Sequence, residues 1–159
     1  MVHIGNTAVL EPVRDTSPFS ARPHPVRQSV MIVRDAHKNT DFLDSICAFL
    51  DIDVEHVSGD DDLTRMLLAI RPVAVIADLD GETQDGFHVM KIAAMHDRKL
   101  PVLLLGDGNA ALLGAVDAMG EACGLTNVLA IAGAEGVGSM VDFLCHAVRD
   151  SGMPGLMRL

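Results

Sequence analysis

The sequence of 159 residues has no Trp and no Tyr, and five Phe make up its whole aromatic share of 3%. Apolar residues nevertheless account for 49% of the chain. A folded core must therefore be built from Val, Ile, Leu, Ala and Met. Proteins that read single-stranded RNA commonly stack bases on aromatic side chains, so the shortage of aromatic residues argues against that function.

Positive charge is also scarce. Twelve Lys and Arg stand against 22 Asp and Glu, which gives a formal net charge of −10. The imbalance lies almost entirely after residue 29, because residues 1–29 carry +1 and the remaining 130 residues carry −11. Nucleic acids and anionic membranes attract basic surfaces. We therefore predict that neither is a direct partner.

Cysteine is rare, and long apolar runs are missing. Cys47, Cys123 and Cys145 are odd in number and widely spaced, which favours free thiols in a reducing compartment over a disulfide framework. The N-terminus lacks the continuous apolar segment of a signal peptide, and no run approaches membrane-spanning length. These absences predict a cytoplasmic protein.

The two ends of the chain have little hydrophobic periodicity. We predict that residues 1–28 form a flexible or extended N-terminal arm, with prolines at Pro12, Pro18, Pro23 and Pro25. The alternative is that the arm packs on the domain or on a partner subunit through its apolar residues, which are Val9, Leu10, Val13 and Phe19. Residues 151–159 are predicted to form a short tail.

Residues 29–150 alternate between short apolar runs and segments with helical spacing. Strands are predicted at residues 30–33, 54–57, 73–78, 101–105 and 127–132. Helices are predicted at residues 42–50, 63–70, 87–95, 110–121 and 137–148. Right-handed crossovers between successive strands require a parallel sheet with helices on both faces. The expected fold class is therefore α/β, a three-layer αβα sandwich.

The third apolar run carries the strongest indication of a site. Its residues, Val73 to Ala77, predict a strand buried on both faces that ends in Asp78, Leu79 and Asp80. Ligands and chemistry in open α/β sheets lie at the carboxyl ends of the strands. Asp78 is therefore expected to lie where a reactive carboxylate would stand.

Asp78 is followed eight residues later by Gly86, within the sequence Asp85-Gly86-Phe87. This spacing and the five βα units resemble the receiver domain of two-component response regulators over residues 29–150. The resemblance implies the CheY-like, flavodoxin-like strand order 2-1-3-4-5 and makes Asp78 the phosphoacceptor. It also implies a Mg²⁺ site formed by Asp35, Asp78 and the carbonyl of Asp80, since hard oxygen ligands suit this ion.

The sequence departs from the receiver pattern at several site positions. Arg34 replaces one member of the acidic pair after the first strand. Gly106 stands where receivers have Thr or Ser, and Ile131 stands where they have Lys. The aromatic residue of the fifth strand becomes Val128. These departures predict a degenerate receiver, or pseudo-receiver, in which Mg²⁺ binding is weak or absent.

Arg34 has two possible orientations. Its guanidinium can lie in the place of Mg²⁺ and pair with Asp78 or Asp35, which would neutralise the site permanently. Alternatively, Arg34 points to solvent and Asp78 caps the next loop. The sequence does not decide between them.

The predicted function is that of a stand-alone, non-enzymatic signalling module that acts through protein–protein contact. Its partner would be a histidine kinase, a phosphotransfer protein or a downstream effector, and a homodimer could form through the last two helices. One alternative is a working phosphorelay receiver that uses Asp78 and Mg²⁺. Another is a small α/β protein that binds a small anionic ligand at the strand ends.

Overall fold

Strands and helices alternate strictly along the chain, as the hydrophobic pattern predicts. The structure is a computed structural model that describes residues 27–36 and 38–152, with the backbone alone at positions 134 and 135. The strands are β1 (Ser29–Arg34), β2 (Asp53–Ser58), β3 (Ala74–Asp78), β4 (Val102–Gly106) and β5 (Val128–Ala132). The helices are α1 (Asp41–Phe49), α2 (Leu63–Ile70), α3 (Gly86–His96), α4 (Ala110–Cys123) and α5 (Val137–Ser151).

The five strands form one parallel sheet in the order β2-β1-β3-β4-β5. The register pairs Val33 with Ala77, Asp78 with Leu105, and Leu105 with Ile131. The central strands β1, β3 and β4 are buried on both faces, which explains why they are nearly continuous apolar runs. The predicted fold class and strand order are confirmed.

Alternate residues of each strand supply two separate cores. One face of the sheet packs against α2, α3 and α4, and includes Met31, Val75 and Leu104. The other face packs against α1 and α5, and includes Ile32 and Ile76. The side chains are aliphatic almost throughout, as the composition predicts.

Polar residues mark the start of several helices. Asp62 caps α2, because its carboxylate accepts a hydrogen bond from the backbone N–H of Arg65 at 3.2 Å. In α1 the capping position is Thr40, whose side chain makes no capping hydrogen bond. The preceding Asn39 instead accepts from the backbone N–H of Asp41 at 2.7 Å.

The main differences from the predicted boundaries lie at the ends of the domain. α5 continues to Ser151, three residues beyond the predicted end of this helix at residue 148. At the other end Gln28, assigned to the arm by the sequence, donates hydrogen bonds to the carbonyl of Val148 and to the hydroxyl of Ser151. The rest of the predicted arm, residues 1–26, and the tail from residue 153 lie outside the described residues.

The cysteines and the helix lengths bear on two further predictions. All three cysteines are free, and Cys47 is fully buried. Burial, with a smaller effect from Asp44, raises the pKa of Cys47 from 9.0 to about 11. Within residues 27–36 and 38–152, no helix has the length and apolar character needed to cross a membrane.

Candidate functional site

Charged side chains converge at the carboxyl edge of the sheet. Because β3 lies between β1 and β4, the residues that end these strands are neighbours in space. Asp78 ends β3, Arg34 ends β1 and Gly106 ends β4. The structure therefore brings together three of the residues that the sequence singled out.

Arg34 and Asp78 form a close ion pair. Nε of Arg34 donates to Oδ2 of Asp78 at 3.0 Å, and the side chains retain only 17% and 5% of their exposure. Nη1 of Arg34 also donates to the carbonyl of Asn39 at 2.7 Å. Of the two orientations that the sequence left open for Arg34, the one that pairs with Asp78 is present.

A second cation, Lys38, was missed by the sequence analysis. Its Nζ lies 3.5 Å from Oδ2 of Asp78 and 3.8 Å from Oδ1 of Asp80. Arg34 ends β1 and Lys38 lies in the loop between β1 and α1, so one short segment supplies both positive charges. A Lys four residues after Arg34 was the available signal, but a loop has no fixed periodicity from which to place it.

Asp35 points toward the loop that follows β3. Its two carboxylate oxygens accept hydrogen bonds from the backbone N–H groups of Glu82 at 2.9 Å and Thr83 at 3.3 Å. The residue is 8% exposed. Asp35 therefore holds this loop close to the end of β1.

An open cavity of about 470 Å³ lies beside the ion pair. Its apolar wall is formed by Phe42, Leu43, Leu105 and Met140. The polar side has two cations and three carboxylates, from Arg34, Lys38, Asp78, Asp80 and Asp107. Cavities of roughly 300–1,000 Å³ are typical of small-molecule sites.

Comparison with known proteins gives a structural result only. No protein-family model matches the sequence, and no curated protein matches it. Among solved structures, the chemotaxis response regulator CheY4 of Vibrio cholerae is similar, with a TM-score of 0.59, 18% identity, and coverage of 76% of this chain and 98% of that one. A two-component response regulator from Clostridium difficile has a TM-score of 0.64 and 9% identity, with 80% and 100% covered.

The chain has the receiver fold of response regulators. At these identities the likeness establishes the fold, and the predicted resemblance is confirmed at that level. The roles assigned to individual site residues stay predictions.

The described residues of this receiver fold do not fit a Mg²⁺ site as they are arranged. Arg34 and Lys38 both face Oδ2 of Asp78, and Asp35 is engaged with backbone N–H groups of the neighbouring loop. In residues 27–36 and 38–152, no three or more His, Cys, Asp or Glu side chains are grouped so that they could hold a metal. A guanidinium and an ammonium group thus supply the positive charge beside Asp78.

Gly106 and Ile131, which the sequence predicted to replace two site residues of receivers, have different surroundings. A Cβ at Gly106 would meet no atom closer than 3.5 Å, so packing does not exclude a larger residue there. Ile131 is only 7% exposed and belongs to the core that includes Met140 and Phe143. Ile131 is therefore part of the apolar core, which would not readily accommodate the amine of a Lys.

Proposed function

We propose that this chain is a receiver-fold signalling module that acts through protein–protein contact. In this proposal, the cationic side chains of Arg34 and Lys38 neutralise the carboxylate of Asp78. The observation that carries the proposal is the 3.0 Å ion pair between Arg34 and Asp78, with Lys38 at 3.5 Å. Removing one partner of a buried ion pair leaves an uncompensated charge, which is strongly unfavourable. The pair therefore favours one fixed arrangement of the site.

Phosphoryl transfer to Asp78 would require this arrangement to change. Such transfer depends on positioning and on electrostatic stabilisation of the transferred group. Here Arg34 and Lys38 approach the carboxylate that would attack the phosphorus. The positions of the usual hydroxyl and Lys are Gly106 and Ile131, neither of which donates a side-chain hydrogen bond. We accordingly expect that Asp78 is not phosphorylated in a Mg²⁺-dependent reaction.

The proposed partner is a protein, in the class of a histidine kinase, a phosphotransfer protein or a downstream effector. Pairing of two copies through α4 and α5 belongs to the same proposal. It is supported by the small, exposed side chains on the outer side of α4, at Ala111, Ala115 and Ala118. The proposed location is the cytoplasm, which the free thiols support.

The alternative is a working phosphoacceptor, for which Asp35, Asp78 and the carbonyl of Asp80 would have to hold Mg²⁺. One observation favours it, namely that Asp78, although buried, lines the open cavity of about 470 Å³. The same cavity is where a small anionic ligand would bind. An anion there would have to compete with Asp78 for Arg34 and Lys38.

The deciding experiment is intact mass spectrometry after incubation with acetyl phosphate and Mg²⁺. We expect no phosphoryl adduct on the natural chain and none on the Asp78→Ala control. An adduct on the natural chain that the Asp78→Ala variant lacks would overturn the proposal and establish the alternative. The natural chain and the Asp78→Ala variant should capture a protein partner equally well, since the proposed protein–protein contact does not depend on a phosphorylated Asp78.

A further inference from the structure

The α1–β2 face of the molecule combines uncovered aromatic rings with strong negative charge. This face comprises α1, the connection through Asp51, and the edge strand β2. Phe49 is 85% exposed and Phe42 is 50% exposed. They are seven residues apart on α1, so they share one side of the helix and lie about 10 Å apart along its axis. Two of the five Phe of the chain are therefore largely uncovered.

The charge on this face is one-sided. Between Asn39 and Thr64 the sequence has eight acidic residues and neither Lys nor Arg. On the side that α1 covers, the acidic residues are Asp41 and Asp44 of the helix and Asp51 of the connection, none of them buried. Asp53 and Glu55 share the other side of β2 with Val57, because side chains alternate along a strand. A contact of 2.8 Å between Nε2 of His56 and Oδ1 of Asp44 holds the helix and the edge strand together. The face thus suits a partner that is both apolar and basic.

The chain itself enters the described structure at this face. Nη1 of Arg27 lies 3.4 Å from Oδ1 of Asp53, and the backbone N–H of Asp53 donates to the carbonyl of Gln28 at 3.0 Å. Asp53 starts β2, four residues after Phe49. The chain therefore enters the described structure near the C-terminal end of α1, where Phe49 lies.

The segment that precedes Arg27 has the required chemistry. Residues 16–26 contain Phe19, Arg22 and His24 and no Asp or Glu. Phe19 lies eight positions before Arg27, a distance of up to about 26 Å in an extended chain. That length exceeds the distance of about 10 Å between the rings of α1.

We propose that residues 16–26 of the same chain cover the α1–β2 face, with Phe19 against the two α1 rings and Arg22 among the acidic residues. The backbone contact between Asp53 and Gln28 then marks where this interface starts. This proposal is independent of whether Asp78 can be phosphorylated.

Hydrogen–deuterium exchange of the full chain, followed by mass spectrometry, tests the proposal. In the natural protein the amides of residues 16–26 should exchange about tenfold more slowly than in a Phe42→Ser/Phe49→Ser variant. The matched control is Leu68→Ser/Met95→Ser, which removes apolar side chains that are 62% and 82% exposed on α2 and α3. The control should leave exchange in residues 16–26 unchanged.

A second variant distinguishes loss of the proposed contact from an effect of the Phe substitutions on folding. Arg22→Glu alters only the proposed covering segment, and it should accelerate exchange both there and in residues 41–50. The proposal would be overturned if residues 16–26 still exchanged slowly in the Phe42→Ser/Phe49→Ser variant. It would also be overturned if they did not exchange slowly in the natural protein. Protection that disappears on dilution would also overturn it, because the covering segment would then come from a second copy.

Discussion

At the scale of single residues, Arg34 and Lys38 should contribute unequally to stability. Arg34 makes the 3.0 Å contact with Asp78 and bonds the carbonyl of Asn39, whereas Lys38 is 3.5 Å from Asp78 and 25% exposed. Arg34→Ala should lower the free energy of unfolding by about 1–3 kcal/mol, because Asp78 is buried and loses its nearer partner. Lys38→Ala should cost less than about 1 kcal/mol, as for a more exposed pair.

Urea unfolding of the two variants and the natural chain measures both values. The comparison is internal, since each substitution removes one cation from the same carboxylate. An equal loss in both variants would show that the shorter Arg34 contact does not dominate the site.

These residues also show how far a site can be predicted from sequence. Asp78 was found because a buried strand that ends in a carboxylate has a fixed place in a parallel sheet. Arg34 was found, but its orientation was not, because a long side chain can reach either Asp78 or solvent. Lys38 was missed because it lies on a loop, where spacing along the chain does not fix a direction in space.

At the scale of elements, Gly86 allows α3 to start close to the end of β3. A Cβ at this position would lie 2.9 Å from Cα of Leu79 and 3.0 Å from Cδ2 of Leu104. Gly86→Ala should therefore destabilise the protein by about 1–3 kcal/mol, as overpacking does. The spacing between Asp78 and Gly86 thus has a packing reason as well as its resemblance to receivers.

Gly114 is the matched control, because it lies within α4 and a Cβ there would meet nothing within 4 Å. Gly114→Ala should stabilise the protein by up to about 1 kcal/mol, the ordinary difference between the two residues in a helix. Thermal unfolding of both variants measures the two shifts. A gain in stability for Gly86→Ala would contradict the tight approach of α3 to Leu79.

The helices and strands themselves were largely predictable, and their ends were less so. Apolar periodicity placed all ten elements, because burial on a sheet imposes it. The end of α5 was predicted too early. Its last turn gains support from Gln28, whose amide donates to the carbonyl of Val148 and to the hydroxyl of Ser151. Such a contact between distant parts of the chain leaves no local pattern.

At the scale of the whole molecule, the two site cations stand in a chain of net charge −10. Replacing them in an Arg34→Asp/Lys38→Ala variant changes the net charge to −13 and brings a new carboxylate close to Asp35 and Asp78. We expect this variant to be less stable than the natural chain in metal-free buffer, because like charges oppose the compact state. Added Mg²⁺ should restore much of that stability, since oxygen ligands suit the ion.

A ligand that binds only the folded state stabilises it by about 2.7 kcal/mol at a concentration one hundred times its Kd. The melting temperature of the variant should therefore rise with Mg²⁺ well beyond the effect of NaCl at equal ionic strength, which reports screening alone. The natural chain should respond to the two salts alike, because its own cations already neutralise Asp78. Adding Asp78→Ala to the variant should abolish the response to Mg²⁺. If Mg²⁺ instead stabilised the natural chain as strongly as the variant, Arg34 and Lys38 would not replace the metal. That result would contradict the proposal that these two cations neutralise Asp78.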